Sequence, residues 1–243
     1  MKQNPSYTAS QPETIKSLFS DIANKYDLGN AIFSFQMHKF WNRRLIEEVF
    51  QKNKNLSFLD LCCGTGDIAF TYLKKTQDKQ RAYLIDFCKE MLCVAKNKAK
   101  RFKLNFHDII YLQGNALSIP LENESVDCTT IAYGIRNIQN PQKCINEIFR
   151  VLHPSGTIGI LELTRPKNSF LRLFHKVYLK YTLPIMGKLL SSNKEAYHYL
   201  SHSIYEFSSP KKLKQMLLNS GFQAIRERSL CGGIATILVA KKP

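Results

Sequence analysis

The stretch that decides the fold is Phe58–Asp67, which reads FLDLCCGTGD. An apolar run leads directly into Gly-Thr-Gly, and a helical pattern begins immediately after it. Glycines at a strand-to-helix turn permit a tight bend and let a ligand approach the backbone closely. About twenty residues further on, a second apolar run ends in Asp86, where a carboxylate accepts hydrogen bonds from both hydroxyls of a ribose. The sequence therefore predicts a nucleoside-containing ligand beside Gly64, Gly66 and Asp86.

Apolar runs alternate with helical patterns on both sides of this turn. The runs typical of buried strands lie at 56–61, 82–85, 109–113, 126–132 and 157–163. This alternation indicates βαβ units and a parallel sheet. A helical segment at 210–219 and two β runs, 222–228 and 234–240, complete the order. It predicts an α/β, Rossmann-like class I methyltransferase fold, with a mostly parallel seven-stranded sheet and a C-terminal β-hairpin.

The residues outside this alternation are helical or irregular. Apolar positions from 13 to 50 recur at three- and four-residue steps, which predicts helices before the first strand. The alternation stops again between 165 and 205. We therefore expect an N-terminal helical cap, 1–55, and a methyltransferase domain, 56–243, with a helical insertion at about 165–205.

The composition limits the kinds of protein that the chain can be. Its 243 residues suffice for one domain with a full core, and no apolar run is long enough for a membrane span. The seven cysteines form no Cys-x-x-Cys pair and have no histidine at ligand spacing, so no metal is expected. The amino terminus lacks the apolar core of a signal peptide. We expect a cytoplasmic protein that contacts the inner face of the membrane.

Two ligands fit the glycine turn. Residues 64–69 satisfy the dinucleotide pattern G-x-G-x-x-A. However, Asp67 at the helix start would repel a pyrophosphate, whereas it suits the cationic methionine end of S-adenosylmethionine, and Asp60 adds to that negative charge. The predicted hairpin is also foreign to dinucleotide folds. We therefore predict S-adenosylmethionine as co-substrate, with Asn115 and Ala116 near its adenine.

More selective segments extend beyond the glycine turn. They are YDLGN at 26–30, MHKFW at 37–41, AYGIRN at 132–137, LELTRP at 161–166 and CGGIA at 231–235. Over 26–237 the chain resembles the ubiquinone/menaquinone biosynthesis C-methyltransferase family, and within it the members that convert demethylmenaquinol to menaquinol. The resemblance implies methylation of a ring carbon of a prenylated quinol. The alternative substrate is the ubiquinone precursor 2-methoxy-6-polyprenyl-1,4-benzoquinol. The donor-binding positions of the family fall on Thr65, Asp86, Asn115 and Ala116.

The catalytic residues are expected just after the fourth strand, because ligands bind at the carboxyl edge of such sheets. We hypothesise that Arg136 and Asn137 hold and polarise the ring hydroxyl and that Tyr26 closes the site from above. The alternatives are a structural ion pair for Arg136 and core packing for Tyr26. His38 and Trp41 are interpreted as a helix-packing pair.

The irregular segment carries a basic amphipathic pattern. Arg172, Lys176 and Lys180 repeat every four residues within 170–181, and 165–194 holds seven basic residues and no acidic one. This pattern predicts a helix that lies on an anionic membrane. The alternative is a lid helix whose aromatic side chains pack on the core and whose lysines are solvated.

The chain carries 35 Lys and Arg against 19 Asp and Glu, a formal charge of +16, which also fits an RNA methyltransferase. Base-amino methyltransferases carry an Asn-Pro-Pro-Tyr-like segment where this chain has AYGIRN, and no RNA-binding module is evident. A non-catalytic protein on the same fold is the third alternative. The expected partners are a prenylated quinol and an anionic membrane, not nucleic acid, and a homodimer is left open.

Overall fold

The computed structural model describes residues 12–50, 56–182, 199, 202–205, 207 and 209–243. The strands in these ranges are β1 Ser57–Leu61, β2 Arg81–Asp86, β3 Asp108–Gln113, β4 Val126–Ala132, β5 Leu152–Leu163, β6 Gln223–Leu230 and β7 Ala235–Lys241. They form one sheet in the order β3-β2-β1-β4-β5-β7-β6. Only β7 runs antiparallel to its neighbours β5 and β6. The predicted fold class is confirmed.

Helices cover both faces of the sheet. In the described ranges they are α1 Pro12–Ile22, α2 Tyr26–Phe33, α3 Met37–Val49, α4 Asp67–Leu73, α5 Lys89–Arg101, α6 Pro141–Val151, α7 Ser169–Val177 and α8 Pro210–Asn219. Their starts follow local chemistry: Asn140 accepts a hydrogen bond from the Lys143 backbone N–H, and Pro141 occupies the first turn of α6. None of these helices is long and apolar enough to cross a membrane.

The N-terminal helical pattern is real but is broken twice. A 3-10 turn, Ala23–Lys25, separates α1 from α2, and the link to α3 contains Phe35 and Gln36 with φ angles of 47° and 63°. Left-handed backbone at residues other than glycine carries no local sequence signal. The prediction of helix from 13 to 50 was therefore correct in type but missed both breaks.

Helix α3 is part of the main core. Leu45 and Val49 are fully or almost fully buried, and they lie over Gly159 in β5. A Cβ atom at Gly159 would lie 2.2 Å from Val49 Cγ2 and 2.9 Å from Leu45 Cδ1. The division into a cap, 1–55, and a domain, 56–243, stays a prediction, but this contact ties α3 closely to the sheet.

The insertion between β5 and α8 is described in part. Helix α7 continues into a π-helical turn, Tyr178–Thr182. The first eleven residues of the predicted cap and most of the remaining insertion, 183–198, lie outside the described residues.

Close packing at Gly159 leads to a stability prediction. Gly159→Ala should lower the free energy of unfolding by about 1–3 kcal/mol, because the added methyl group overpacks the contact with α3. In a Val49→Ala background, which removes the nearest methyl groups, the same change should cost less. Urea unfolding of the four proteins of this cycle measures the difference, and an equal cost in both backgrounds would contradict the contact.

Candidate active site

The turn after β1 is built on left-handed backbone. Gly64 and Gly66 have φ angles of 53° and 80°, and Cys62 before them has 54°. A Cβ atom at Gly66 would lie 2.5 Å from the ring of Phe70, so glycine is required there for space as well as for conformation. A Cβ atom at Gly64 would meet only Tyr26, at 3.9 Å, which leaves the backbone at Gly64 open towards the site.

Asp86, the last residue of β2, fastens this turn to the sheet. Its two carboxylate oxygens accept hydrogen bonds from the backbone N–H groups of Gly64, at 2.8 Å, and Cys88, at 2.9 Å. Burial raises the pKa of Asp86, and the backbone donors oppose that rise. Beside it lies a cleft of about 180 Å³, lined among others by Gly64, Asp86, Asn115, Ala116, Gly134 and Asn137.

The structure separates the six predicted donor-binding residues into two groups. Gly64, Asp86, Asn115 and Ala116 line the cleft. Thr65 and Gly66 do not line it and instead shape the turn. The Asn115 side-chain oxygen accepts from the backbone N–H of Leu117, which fixes the loop after β3. Contact of all six with a methyl donor stays a prediction.

A buried ammonium group lies beneath the turn. Lys98 of α5, whose side chain is 5% exposed, forms ion pairs with Asp27 of α2, at 2.6 Å, and with Asp67 of α4. Thr65 donates a hydrogen bond to Asp27 and accepts one from Lys98 at 3.1 Å. We call these four residues the Lys98 clamp.

The clamp corrects an interpretation of the acidic residues. Asp67 was interpreted as negative charge facing the ligand, but Lys98 neutralises it. Asp60, interpreted in the same way, is buried and accepts hydrogen bonds from Thr130 and from the Ala69 backbone. Burial raises the pKa of Asp60 to about 7. Both acids thus organise the turn from below, and Asp86 is the carboxylate that lines the cleft.

A second and larger cavity, of about 550 Å³, adjoins the cleft. Its walls are mainly apolar and come from α1, α2, α3, α7 and the turn after β6. Polar side chains also reach it, among them His38 and Arg136. We call this cavity the chamber.

Three aromatic side chains line both cavities: Phe19, Tyr26 and Tyr133. Tyr133 directly follows β4 with a φ angle of 58°, and its hydroxyl donates to Asn42 Oδ1 at 2.9 Å. Burial raises the pKa of both tyrosines, so they stay protonated at neutral pH. Strained backbone of this kind persists only where the surrounding structure enforces it, and it clusters at functional sites. The two cavities therefore meet where sequence reasoning expected methyl transfer.

The two predicted catalytic residues after β4 face different cavities. Arg136 lines the chamber and Asn137 lines the cleft, from one 3-10 turn, Ile135–Asn137. The Asn137 side-chain oxygen accepts from the hydroxyl of Tyr199 at 2.9 Å.

Arg136 also forms the structural ion pair that was the alternative reading of its role. Its guanidinium is 4% exposed and is paired with Glu162 of β5, which is 1% exposed. Burial alone lowers the pKa of Arg136, but the carboxylate raises it above its ordinary value, so the guanidinium stays charged. Among the described residues, its Nε atom, which is itself buried, has no hydrogen-bond partner. Buried charged donors are rarely left unpaired.

Sequence reasoning missed Lys98 and Glu162. Glu162 had a signal, because a single carboxylate inside the apolar strand at 157–163 requires a buried partner. Lys98 had none, because exposed Lys96 and Lys100 flank it on the same helix.

The cysteines and acidic residues of the described ranges do not form a metal site. In the described ranges, no three His, Cys, Asp or Glu side chains lie together as a metal site, and all seven cysteines are free.

The Lys98 clamp leads to a second stability prediction. Lys98→Met should lower the free energy of unfolding by about 1–3 kcal/mol, because it leaves Asp27 and Asp67 without a counter-ion; their partial exposure moderates the cost. Lys100→Met, an exposed position on α5, should change it by less than about 0.5 kcal/mol. Denaturant unfolding compares the two, and equal effects would show that the clamp is not stabilising.

Relatives of known name match nearly the whole chain. The chain is 45% identical over 237 residues to a demethylmenaquinone methyltransferase of Protochlamydia amoebophila, covering 98% of both sequences. It is 38% identical to a ubiquinone/menaquinone biosynthesis C-methyltransferase UbiE of Rickettsia bellii, covering 94% of this chain and 92% of that sequence.

Solved structures agree on the fold. A crystal structure of an S-adenosylmethionine-dependent methyltransferase from Aquifex aeolicus superimposes with a TM-score of 0.59 at 19% identity, covering 83% of this chain and 89% of the other. The profile of the ubiE/COQ5 methyltransferase family matches residues 7–242. With the glycine turn, Asp86 and the segment after β4 at one edge of the sheet, the chain belongs to the ubiE/COQ5 methyltransferase family.

Proposed function

We propose that the protein transfers the methyl group of S-adenosylmethionine to a ring carbon of demethylmenaquinol, forming menaquinol. The observation that carries this proposal is the pair of cavities that meet at Tyr26 and Tyr133, one beside Asp86 and the other large and apolar. Such a pair fits a nucleoside donor and a prenylated ring. The name of the relative that is 45% identical supports the choice of quinol.

The cleft has the chemistry that the donor needs. Asp86 offers carboxylate oxygens to the ribose hydroxyls, and the open backbone at Gly64 admits close approach of the donor. Asn115 and Ala116 line the end of the cleft proposed for the adenine. When bound there, S-adenosylmethionine supplies an electrophilic methyl group.

Carbon methylation requires an electron-rich ring carbon, and deprotonation of the quinol hydroxyl provides it. We propose that the Arg136 guanidinium stabilises the oxyanion in the chamber. Asn137 orients the ring hydroxyl from the cleft side, and Tyr26 covers the junction. The apolar walls exclude water, which strengthens these polar contacts.

Helix α7, which forms part of the chamber wall, carries a basic and apolar surface. Phe170, Leu173 and Val177 are 67%, 59% and 46% exposed, and Arg172 and Lys176 lie among them. We propose that this surface rests on the anionic inner face of the membrane. The prenyl tail then passes from the lipid into the chamber.

Transfer of a labelled methyl group tests the reaction. Purified protein and labelled S-adenosylmethionine are offered three substrates in parallel: chemically reduced demethylmenaquinol, a demethylated ubiquinol precursor and total RNA. We expect the label in the product of demethylmenaquinol. Label only in the benzoquinol would move the enzyme to ubiquinone synthesis, and label only in RNA would overturn the proposal.

The same assay tests the catalytic residues. Arg136→Ala and Asn137→Ala should each lower turnover about a hundredfold or more, because each removes a donor aimed at the developing oxyanion. Since Arg136→Ala strands a buried Glu162, the double variant Arg136→Met with Glu162→Gln serves as a second test. Near-normal turnover in folded variants would show that the assignment is wrong.

Vesicle flotation at low salt tests the membrane surface. The wild type should bind vesicles with anionic lipid and lose binding as salt rises. Replacing Phe170 and Leu173 with serine should weaken binding about tenfold per side chain, from the lost apolar burial. Leu218→Ser is the control, because it removes the same kind of apolar side chain from a 49% exposed position on α8. No binding by the wild type would remove the membrane proposal.

A further inference from the structure

The chamber contains a histidine that the proposed reaction has not used. His38, the second residue of α3, is 6% exposed and lines the chamber together with Tyr26, Tyr133 and Arg136. It was interpreted from the sequence as packing beside Trp41, which also lines the chamber and donates its indole N–H to the sulfur of Cys231 at 3.3 Å. An imidazole on the wall of a substrate cavity is available for more than packing.

Hydrogen bonding fixes the tautomer of this imidazole. The Ser34 hydroxyl lies 2.6 Å from the Asn30 carbonyl oxygen and 2.7 Å from His38 Nδ1. A carbonyl oxygen can only accept, so the single hydroxyl proton of Ser34 goes to Asn30. The Ser34 oxygen then accepts from His38, which places the ring proton on Nδ1 and leaves the Nε2 lone pair unprotonated. The described residues give Nε2 no hydrogen-bond partner.

The surroundings keep the ring neutral. Burial, the largest influence, lowers the pKa of His38; Asp67 and Asp27 raise it, while Lys39 and Lys98 lower it. The two acids belong to the Lys98 clamp, where the single ammonium group offsets part of their charge. The other titratable side chains that line the chamber are Tyr26, Tyr133, Arg136, His175, Tyr178, Tyr199 and Cys231. A neutral imidazole is the protonation state that a proton acceptor needs.

We propose that Nε2 of His38 accepts the proton that the quinol hydroxyl loses in the methyl transfer. This inference rests on the proposed function, because it assigns a residue to that same reaction. Ser34 acts as a positioning residue, since it holds the Nδ1–H tautomer. Arg136, which also lines the chamber, cannot accept the proton, because it keeps its own proton beside Glu162.

The proton balance requires such an acceptor. The quinol hydroxyl gives its proton to His38 Nε2, the new carbon–carbon bond forms as the sulfonium carbon–sulfur bond breaks, and the electron pair of the broken bond stays on sulfur. The ring C–H bond at the methylated carbon then breaks, and that hydrogen returns as a proton to the ring oxygen, which restores the aromatic quinol. The quinol and the sulfonium cation become a methylated quinol, a neutral thioether and one proton. His38 Nε2 takes that proton, as the imidazolium, and releases it to solvent with the products. No oxidant or reductant is involved.

His175 provides a matched control. It lines the same chamber and is 9% exposed, and burial lowers its pKa as well. In the described part of the chain, however, no side chain hydrogen-bonds its ring. The two histidines thus share burial and cavity, but only His38 is held by a serine.

The test compares His38→Asn with His175→Asn in the labelled-methyl assay. Asparagine at 38 keeps an amide that donates to Ser34 but cannot accept a proton. We expect kcat to fall about a hundredfold or more in His38→Asn, the usual contribution of a general base, with donor affinity unchanged. His175→Asn, which alters the wall of the same chamber without removing the imidazole held by Ser34, should lower kcat much less than His38→Asn does. The acid limb of the wild-type pH profile, where His38 becomes protonated, should disappear in His38→Asn.

Chemical rescue keeps the test decisive if packing is disturbed. Added imidazole should restore turnover of His38→Ala, and substituted imidazoles should do so in the order of their basicity. Unchanged kcat in His38→Asn, or equal losses at positions 38 and 175 without rescue, would overturn the proposal. If the wild type itself labels no quinol, the proposed function fails instead, so the two failures are distinguishable.

Discussion

The site depends on one buried charge, the ammonium group of Lys98. It joins α5 to α2 through Asp27 and to the start of α4 through Asp67, and it contacts Thr65 within the glycine turn. Asp27 is the neighbour of Tyr26, so the same ion pairs that hold the turn also hold the tyrosine over the junction of the two cavities. A buried charge without partners is costly, so any arrangement of α2, α4 and α5 that separates Lys98 from its two carboxylates is disfavoured.

Charge is distributed differently in the two cavities. The cleft presents the carboxylate of Asp86, which suits a ribose and a cationic donor. The chamber is mainly apolar, and its guanidinium is already balanced by Glu162. Under the proposed function, the apolar walls of the chamber suit a hydrophobic tail. The proposed donor and acceptor then meet near Tyr26 and Tyr133, which line both cavities.

Much of the sheet was predictable because its central strands are buried on both faces. Such strands read as continuous apolar runs, and the run at 126–132 coincides with β4. Strand β5 begins at Leu152, five residues before the predicted start at Thr157, because it follows α6 directly and Leu152 pairs with Val126 at the start of β4. The break at Phe35 and Gln36 was missed, because tertiary packing holds residues there that do not favour left-handed backbone.

The sequence by itself determined the fold class, the glycine turn, Asp86 at the end of β2, and the position of Arg136 and Asn137 after β4. These features depend on short-range order along the chain, which periodicity and spacing record directly. Only the tertiary structure decided that Lys98 is buried, that Glu162 pairs with Arg136, and that the two catalytic candidates face different cavities. Those contacts join segments tens of residues apart, which local sequence patterns do not record. The burial of Lys98 has no local signal either, because the neighbouring lysines of the same helix are exposed and only tertiary packing distinguishes them.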